Sequence, residues 1–189
     1  YVFLAAAKVG GIAANSKKPA EFAYDNLQIQ NNVISCAFKS GVKRLIFFGS
    51  GCMYPKECRQ PMREEDLLTG KLEETSRPFA IAKIAGFEMC RAYNSQFKTQ
   101  FLTIVPPTLY GPNDNYDLES SHFIAAIIRK FHEAKINGIK KVILWGNGNT
   151  RREVMYSDDV AQAGIFLMKS NKPIEIANAG VGADLSVME

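Results

Sequence analysis

Three runs in the first half of the chain are short and almost continuously apolar. They are Tyr1-Val2-Phe3-Leu4-Ala5-Ala6, Arg44-Leu45-Ile46-Phe47-Phe48-Gly49 and Phe101-Leu102-Thr103-Ile104-Val105. A strand with one wet face alternates apolar and polar residues, whereas a strand covered on both faces reads as an unbroken apolar run. The intervening residues 19–40 and 78–97 carry helical patterns. Pro19 suits a first helical turn, where its missing N–H has no partner to lose, and Gly41 suits the exit of that helix. Strand, helix, strand, helix, strand predicts an α/β fold, a Rossmann-like doubly wound parallel sheet with covering helices.

The character changes after Pro106-Pro107. Residues 113–121 form a polar loop, and residues 122–135 an amphipathic helix. Residues 141–145 and 153–156 are predicted as short strands. Ser157-Asp158-Asp159 opens a further helix, with Ser157 as N-cap and two acids where the helix dipole favours them. No internal repeat or low-complexity segment interrupts this order.

With 189 residues, 47% of them hydrophobic, the chain can bury a core of its own. The absence of an initiator Met, the start inside a strand and a stretch over residues 183–189 that reads as the beginning of a helix point to the middle of a longer protein. The net charge of +4 is spread among interspersed acids and bases. That balance suits a small anionic ligand and lacks the basic stripe expected of a nucleic-acid-binding surface. No apolar run approaches the roughly 18 residues of a membrane span. The four cysteines have no Cys-x-x-Cys spacing. Free thiols in a reducing, cytoplasmic setting are expected, with neither disulfides nor a metal site.

Ligands of doubly wound sheets bind beyond the carboxyl ends of the strands. Ser50 directly follows the run 44–49, which places its hydroxyl at that crevice; the alternative is a serine satisfying loop backbone. Lys83 lies four residues after Phe79, so the two share a helix face. Its neighbours Ala80, Ile81, Ala82, Ile84 and Ala85 are apolar, which argues against an ordinary solvated lysine. Taken singly, Cys52 reads as a buried thiol, His122 as a surface residue at a helix start and Trp145 equally as core or as ligand platform.

Read together, the segments identify a family. Residues 4–11 (Leu-Ala-Ala-Ala-Lys-Val-Gly-Gly), 49–55 (Gly-Ser-Gly-Cys-Met-Tyr-Pro), 80–86, 109–115 (Leu-Tyr-Gly-Pro-Asn-Asp-Asn), Ser121-His122, 145–148 (Trp-Gly-Asn-Gly) and Arg151-Arg152-Glu153 run in order over nearly the whole chain. In this the chain resembles the GDP-L-fucose synthases. These are NADPH-dependent enzymes of the extended short-chain dehydrogenase/reductase class that epimerise C3 and C5 and reduce C4 of GDP-4-keto-6-deoxy-mannose. The resemblance implies that Ser50 hydrogen-bonds the sugar's keto oxygen, that Cys52 and His122 are the base and acid of epimerisation, and that Lys83 holds the ribose of the cofactor. It implies contacts to NADP (NADPH) from Leu4, Ala5, Ala6, Lys83, Pro106, Leu109 and His122. Contacts to the GDP-sugar would come from Lys8, Lys130, Trp145 and Arg152, and Asn26 would brace the site. Residues 1–108 would be the C-terminal part of the NADP-binding Rossmann-like domain. Residues 109–189 would be mainly the sugar-nucleotide-binding lobe, returning to the Rossmann-like domain near 153–178. A homodimer packed through the helices 19–40 and 78–97 is implied as well.

Several departures from the family pattern carry consequences. Phe79 stands where these enzymes carry the tyrosine that protonates the reduced sugar; either the phenol was removed deliberately or the step was lost or rerouted naturally. Lys130 stands where an Arg is expected, and Pro106-Pro107-Thr108 replaces Pro-Thr-Asn. The Asp-Glu pair of the related dehydratases is absent at Gly51 and Cys52. No Gly-x-x-Gly-x-x-Gly fingerprint occurs, so NADP rests on the resemblance alone. The reading is therefore epimerisation with reduction impaired by Phe79. A colitose-type GDP-sugar epimerase/reductase and a catalytically silent sugar-nucleotide-binding homologue are the alternatives.

Overall fold

The computed structural model describes residues Tyr1–Glu189 in full. In chain order the strands are β1 (Val2–Leu4), β2 (Arg44–Phe48), β3 (Gln100–Val105), β4 (Thr108–Tyr110), β5 (Arg151–Arg152), β6 (Val154–Tyr156), β7 (Ile176–Asn178) and β8 (Leu185–Ser186). The helices are α1 (Ile12–Lys17), α2 (Pro19–Lys39), α3 (Arg77–Phe97), α4 (Phe123–Ile136) and α5 (Ser157–Lys169). β1, β2, β3 and β7 form one parallel sheet in that order. β4 pairs with β6 in parallel, and β5 with β8 in antiparallel.

Side chains alternate across a strand, and β2 shows how its unbroken apolar run is used. Leu45 and Phe47 join Leu4, Ile34, Cys90 and Phe101 in the core beneath α2 and α3. Ile46, one position between them, joins Leu102, Ile104, Met155, Val160 and Met168 beneath α5. Leu45, Ile46 and Phe47 are essentially without solvent contact. The two long helices thus cover one face of the sheet and α5 the other.

Helix α3 approaches the sheet closely enough that a Cβ on Gly86 would lie 2.5 Å from the Phe47 ring. Glycine costs helix stability relative to alanine, and here it permits the close approach. Across the helix pair, the buried Gln30 amide donates to the Ala82 carbonyl at 2.6 Å, one residue before Lys83.

Three expectations are corrected. Residues 141–145 form no strand, because no neighbouring strand offers them a ladder and Ile143 and Trp145 face solvent. Ser157 is not the N-cap of α5. β6 runs directly into the helix, so the extended Tyr156 occupies that position without a side-chain cap and Ser157 lies inside. Residues 183–189 do not begin a helix, since Leu185 and Ser186 pair with β5. The sequence pattern predicts neither the short helix α1 nor the strands β4, β5 and β7. No helix is long and apolar enough to cross a membrane.

Candidate active site

The site grows from the carboxyl end of β2. A Cβ on Gly49 would lie 2.8 Å from the Met53 sulfur, so glycine lets the chain fold tightly into the short 3-10 turn Gly51–Met53. Ser50 is extended, and its Oγ accepts from the Cys52 amide at 3.3 Å. The bond caps the turn, as a serine that satisfies loop backbone would, and it leaves the hydroxyl proton with no protein acceptor. Cys52 is half-buried on that turn, which packs against α3.

Helix α3 delivers Phe79 and Lys83 to the same place. Both are buried, and Lys83 keeps only 4% of its surface exposed. Its Nζ donates to the Phe48 carbonyl at 2.7 Å. It lies 4.7 Å from the centroid of the Phe47 ring and 5.8 Å from that of Phe79. Burial pushes its pKa down to about 8, since a low-dielectric site disfavours the ammonium. An ammonium carries three N–H donors, and the Phe48 carbonyl is the one protein acceptor within reach. Phe79 meets Phe22 of α2 edge-on, with centroids 6.3 Å apart.

The segment after β1 closes one side. Ala5 and Ala6 are exposed there, whereas the Leu4 side chain belongs to the core, so only its backbone can meet a ligand. Buried Asn26 clamps Lys8 in both directions: the Lys8 amide donates to its Oδ1 at 3.0 Å, and its Nδ2 donates to the Lys8 carbonyl at 2.9 Å. The Lys8 ammonium lies between Glu21 at 2.6 Å and Asp25 at 2.7 Å. Those carboxylates raise its pKa and neutralise its charge locally. Farther along, the Gly11 amide donates to the Ser120 carbonyl at 3.0 Å. That bond brings in the segment carrying His122, which occupies the N-cap position of α4. His122 is solvent-exposed, yet crowding of its ring by neighbouring atoms lowers its pKa, against an opposing pull from Asp114. Pro106 is buried at the end of β3, and Leu109 in β4 packs on the core beneath α5.

Lys130 and Trp145 meet farther out. The lysine ammonium donates to the Ile143 carbonyl at 3.1 Å and lies 5.7 Å from the indole centroid. Trp145 is 76% exposed, so its ring takes no part in the core formed by these residues. Arg152 is exposed on β5, donates to the Arg151 carbonyl at 2.9 Å, and makes no hydrogen bond to the Lys130–Trp145 pair. Lys83 and Phe79 thus lie at the end of β2, where the Ser50–Cys52 turn packs on α3, and the segment that carries His122 is tied to Gly11 through Ser120.

Sequence reasoning missed Phe22, the contact of Gly11 with Ser120, and a clamp in which the Tyr54 hydroxyl donates to Asn178 Oδ1 at 2.6 Å. The adjacent glycines 10 and 11 were the available signal for close backbone approach. For the Tyr54–Asn178 pair, 124 positions apart, no local signal exists.

Comparison with known proteins places this geometry among relatives. The profile of the NAD dependent epimerase/dehydratase family matches residues 1–180. GDP-L-fucose synthase of Sinorhizobium fredii is 50% identical over 188 residues, all of this chain and 60% of that protein. GDP-L-fucose synthase 1 of Arabidopsis thaliana is 49% identical over 189 residues, all of this chain and 58% of that protein. A solved GDP-mannoheptose C4 reductase from Campylobacter jejuni with NADP bound superposes with a TM-score of 0.86 at 38% identity, covering 100% of this chain and 66% of that one. The chain thus spans about 60% of the length of the curated relatives it matches.

Proposed function

The chain belongs to the NAD dependent epimerase/dehydratase family, and we propose that it forms the catalytic centre of an NADPH-dependent GDP-4-keto-6-deoxy-mannose 3,5-epimerase/4-reductase whose reductive step is impaired. The observation that carries this reading is the buried Lys83 beside Phe79, next to the Ser50–Cys52 turn.

Protons on carbons flanking a ketone are acidic, and inverting C3 and C5 requires a base and an acid on opposite sides of the sugar. Cys52 on its turn and His122 at the start of α4 supply that pair. The free hydroxyl proton of Ser50 is donated to the ketone oxygen, where negative charge develops during enolisation. The residues also fit a nicotinamide dinucleotide. Lys83 has N–H donors that no protein group satisfies, suited to ribose hydroxyls, and the exposed Ala5 and Ala6 let backbone lie along the ligand. When bound, NADPH supplies the hydride for C4. Phe79 has no proton to give the oxygen left after reduction, so epimerisation proceeds and reduction lags.

The GDP end is assigned to Lys130, Trp145 and Arg152 in the lobe formed mainly by residues 109–189. Lys8 contributes backbone there rather than charge, because Glu21 and Asp25 already hold its ammonium. Tyr24 on α2 and Ile81 and Phe97 on α3 are exposed apolar side chains, which supports a homodimer packed through these helices. The cytoplasm is the compartment proposed.

The intact protein is incubated with GDP-4-keto-6-deoxy-mannose in deuterated water, and exchange at C3 and C5 is followed by NMR alongside NADPH oxidation. Exchange outpacing oxidation is expected. Bound substrate without exchange would favour a silent binding homologue, and exchange with brisk oxidation would overturn the reading of Phe79.

A further inference from the structure

We infer that Gly11 is a positioning residue for His122, acting by direct backbone contact across the site rather than through its own conformational freedom. Its φ of −68° and ψ of −179° are open to any residue, so backbone strain does not require glycine. What requires it is proximity. A Cβ at position 11 would overlap the Ser121 carbonyl oxygen and come within 4.0 Å of the Ser120 carbonyl oxygen. The obstructing atoms are backbone, so no side-chain rotation relieves the clash. The Gly11 amide meanwhile donates to the Ser120 carbonyl at 3.0 Å, and its own carbonyl accepts from the buried Asn15 amide at 3.1 Å.

Both sides of this contact are stiff. Gly10 is packed on Phe22, where a Cβ would lie 3.1 Å from the ring, and Phe22 in turn meets Phe79. Opposite, the Asp117 carboxylate accepts from the amides of Glu119 and Ser120 at 3.1 and 2.9 Å and from the Ser120 hydroxyl at 2.8 Å. The Ser120 and Ser121 amides also donate to the Asp117 carbonyl. His122 follows this turn immediately, and its carbonyl starts the hydrogen-bond ladder of α4 by accepting from the Ala126 amide. A displacement at Ser121 is therefore carried directly into the His122 backbone. The contact joins the Phe79–Phe22 packing, through Gly10 and Gly11, to the backbone immediately before His122.

The inference deepens the proposed function and, in its activity readout, rests on His122 being the epimerisation acid. The test uses the intact protein with G11A, D117A and the exposed-surface control K17A, since Lys17 makes only an exposed ion pair with Glu119 at 3.3 Å. Imidazole NMR titration follows His122, with His132 on the same helix as internal reference, and substrate exchange in deuterated water is measured in parallel. G11A is expected to move the His122 resonances and pKa, to leave His132 in place, and to slow exchange roughly 10–100-fold, the scale of an ångström-level misplacement. D117A should act in the same direction and carries the test if G11A does not fold; K17A should match the parent. Unchanged His122 resonances in folded G11A, or in D117A where G11A fails to fold, overturn the inference. Shifted resonances with undiminished exchange support the positioning role and instead overturn the assignment of His122 as the acid.

Discussion

The neighbourhood of Lys83 and that of Lys130 place the same side chain, each within about 6 Å of an aromatic ring, in opposite surroundings. Lys83 is sealed between α3 and the end of β2, with its pKa pushed down to about 8. Lys130 lies beside a Trp145 that is 76% exposed, next to an Ile143 that is 82% exposed. The inner lysine is held by the packing of the sheet and its covering helices, with one donor fixed on the Phe48 carbonyl. The outer pair stands on a helix flank and an irregular segment, where side chains keep their freedom until something binds. Under the proposed function, the chemical step falls to the first environment and nucleotide recognition to the second.

The most direct way to sharpen this contrast is F79Y. A phenol one helical turn from Lys83 would regain a proton to donate, and NADPH oxidation is expected to rise by roughly 10²–10⁴-fold, the usual contribution of a positioned general acid. Exchange at C3 and C5 should hardly change. An unchanged oxidation rate would remove Lys83 and Phe79 from the reaction.

K83M tests the same environment through stability. Lys83 is charged at neutral pH in the unfolded chain and is penalised for that charge when folded. Because its folded pKa is depressed, the unfolded state binds more protons between about pH 8 and 10.5, and stability conferred by this group rises with pH across that window. At pH 7 the variant should therefore gain at most about 3 kcal/mol, from 1.36 kcal/mol per pKa unit, less the loss of the bond to the Phe48 carbonyl. The gain over the parent should fade by pH 10.5. Denaturant unfolding at the two pH values checks this, and a gain independent of pH would contradict the buried charge.

At the outer pair, W145A should raise KM for the GDP-sugar several-fold with little change in kcat. An exposed cation–π contact is worth about 0.5–1 kcal/mol. A comparable loss of kcat would blur the division between the two regions. The smallest effect is expected from D184N, which breaks the exposed pairing with Arg151. Exposed ion pairs contribute little, and the thermal midpoint should stay within measurement error.

The inner region was also the more legible one. Helix α2 spans Pro19–Lys39 where residues 19–40 were expected, and α3 spans Arg77–Phe97 where 78–97 were expected. Buried strands and long helices announce themselves through local pattern, because most of their residues face a core. The outer region misled for the same reason. Val142, Ile143 and Leu144 look like a strand in isolation, but a strand exists only if another supplies hydrogen bonds, and none does. Ser157 is a good cap by type, yet β6 enters α5 without the turn such a cap would close.

What the sequence determined alone was the alternation of sheet and helix, the placement of Ser50 at a strand end, and the pairing of Phe79 with Lys83 on one helix face. Each follows from residues within a few positions of one another, where chain geometry fixes the outcome. Tertiary structure decided the rest: that Glu21 and Asp25 occupy the charge of Lys8, that Lys83 is buried deeply enough to lower its pKa, and that Gly11 touches the Ser120–Ser121 backbone more than a hundred residues away. Burial, charge neutralisation and close backbone contact depend on which distant segments meet, and packing around the shared core determines those meetings.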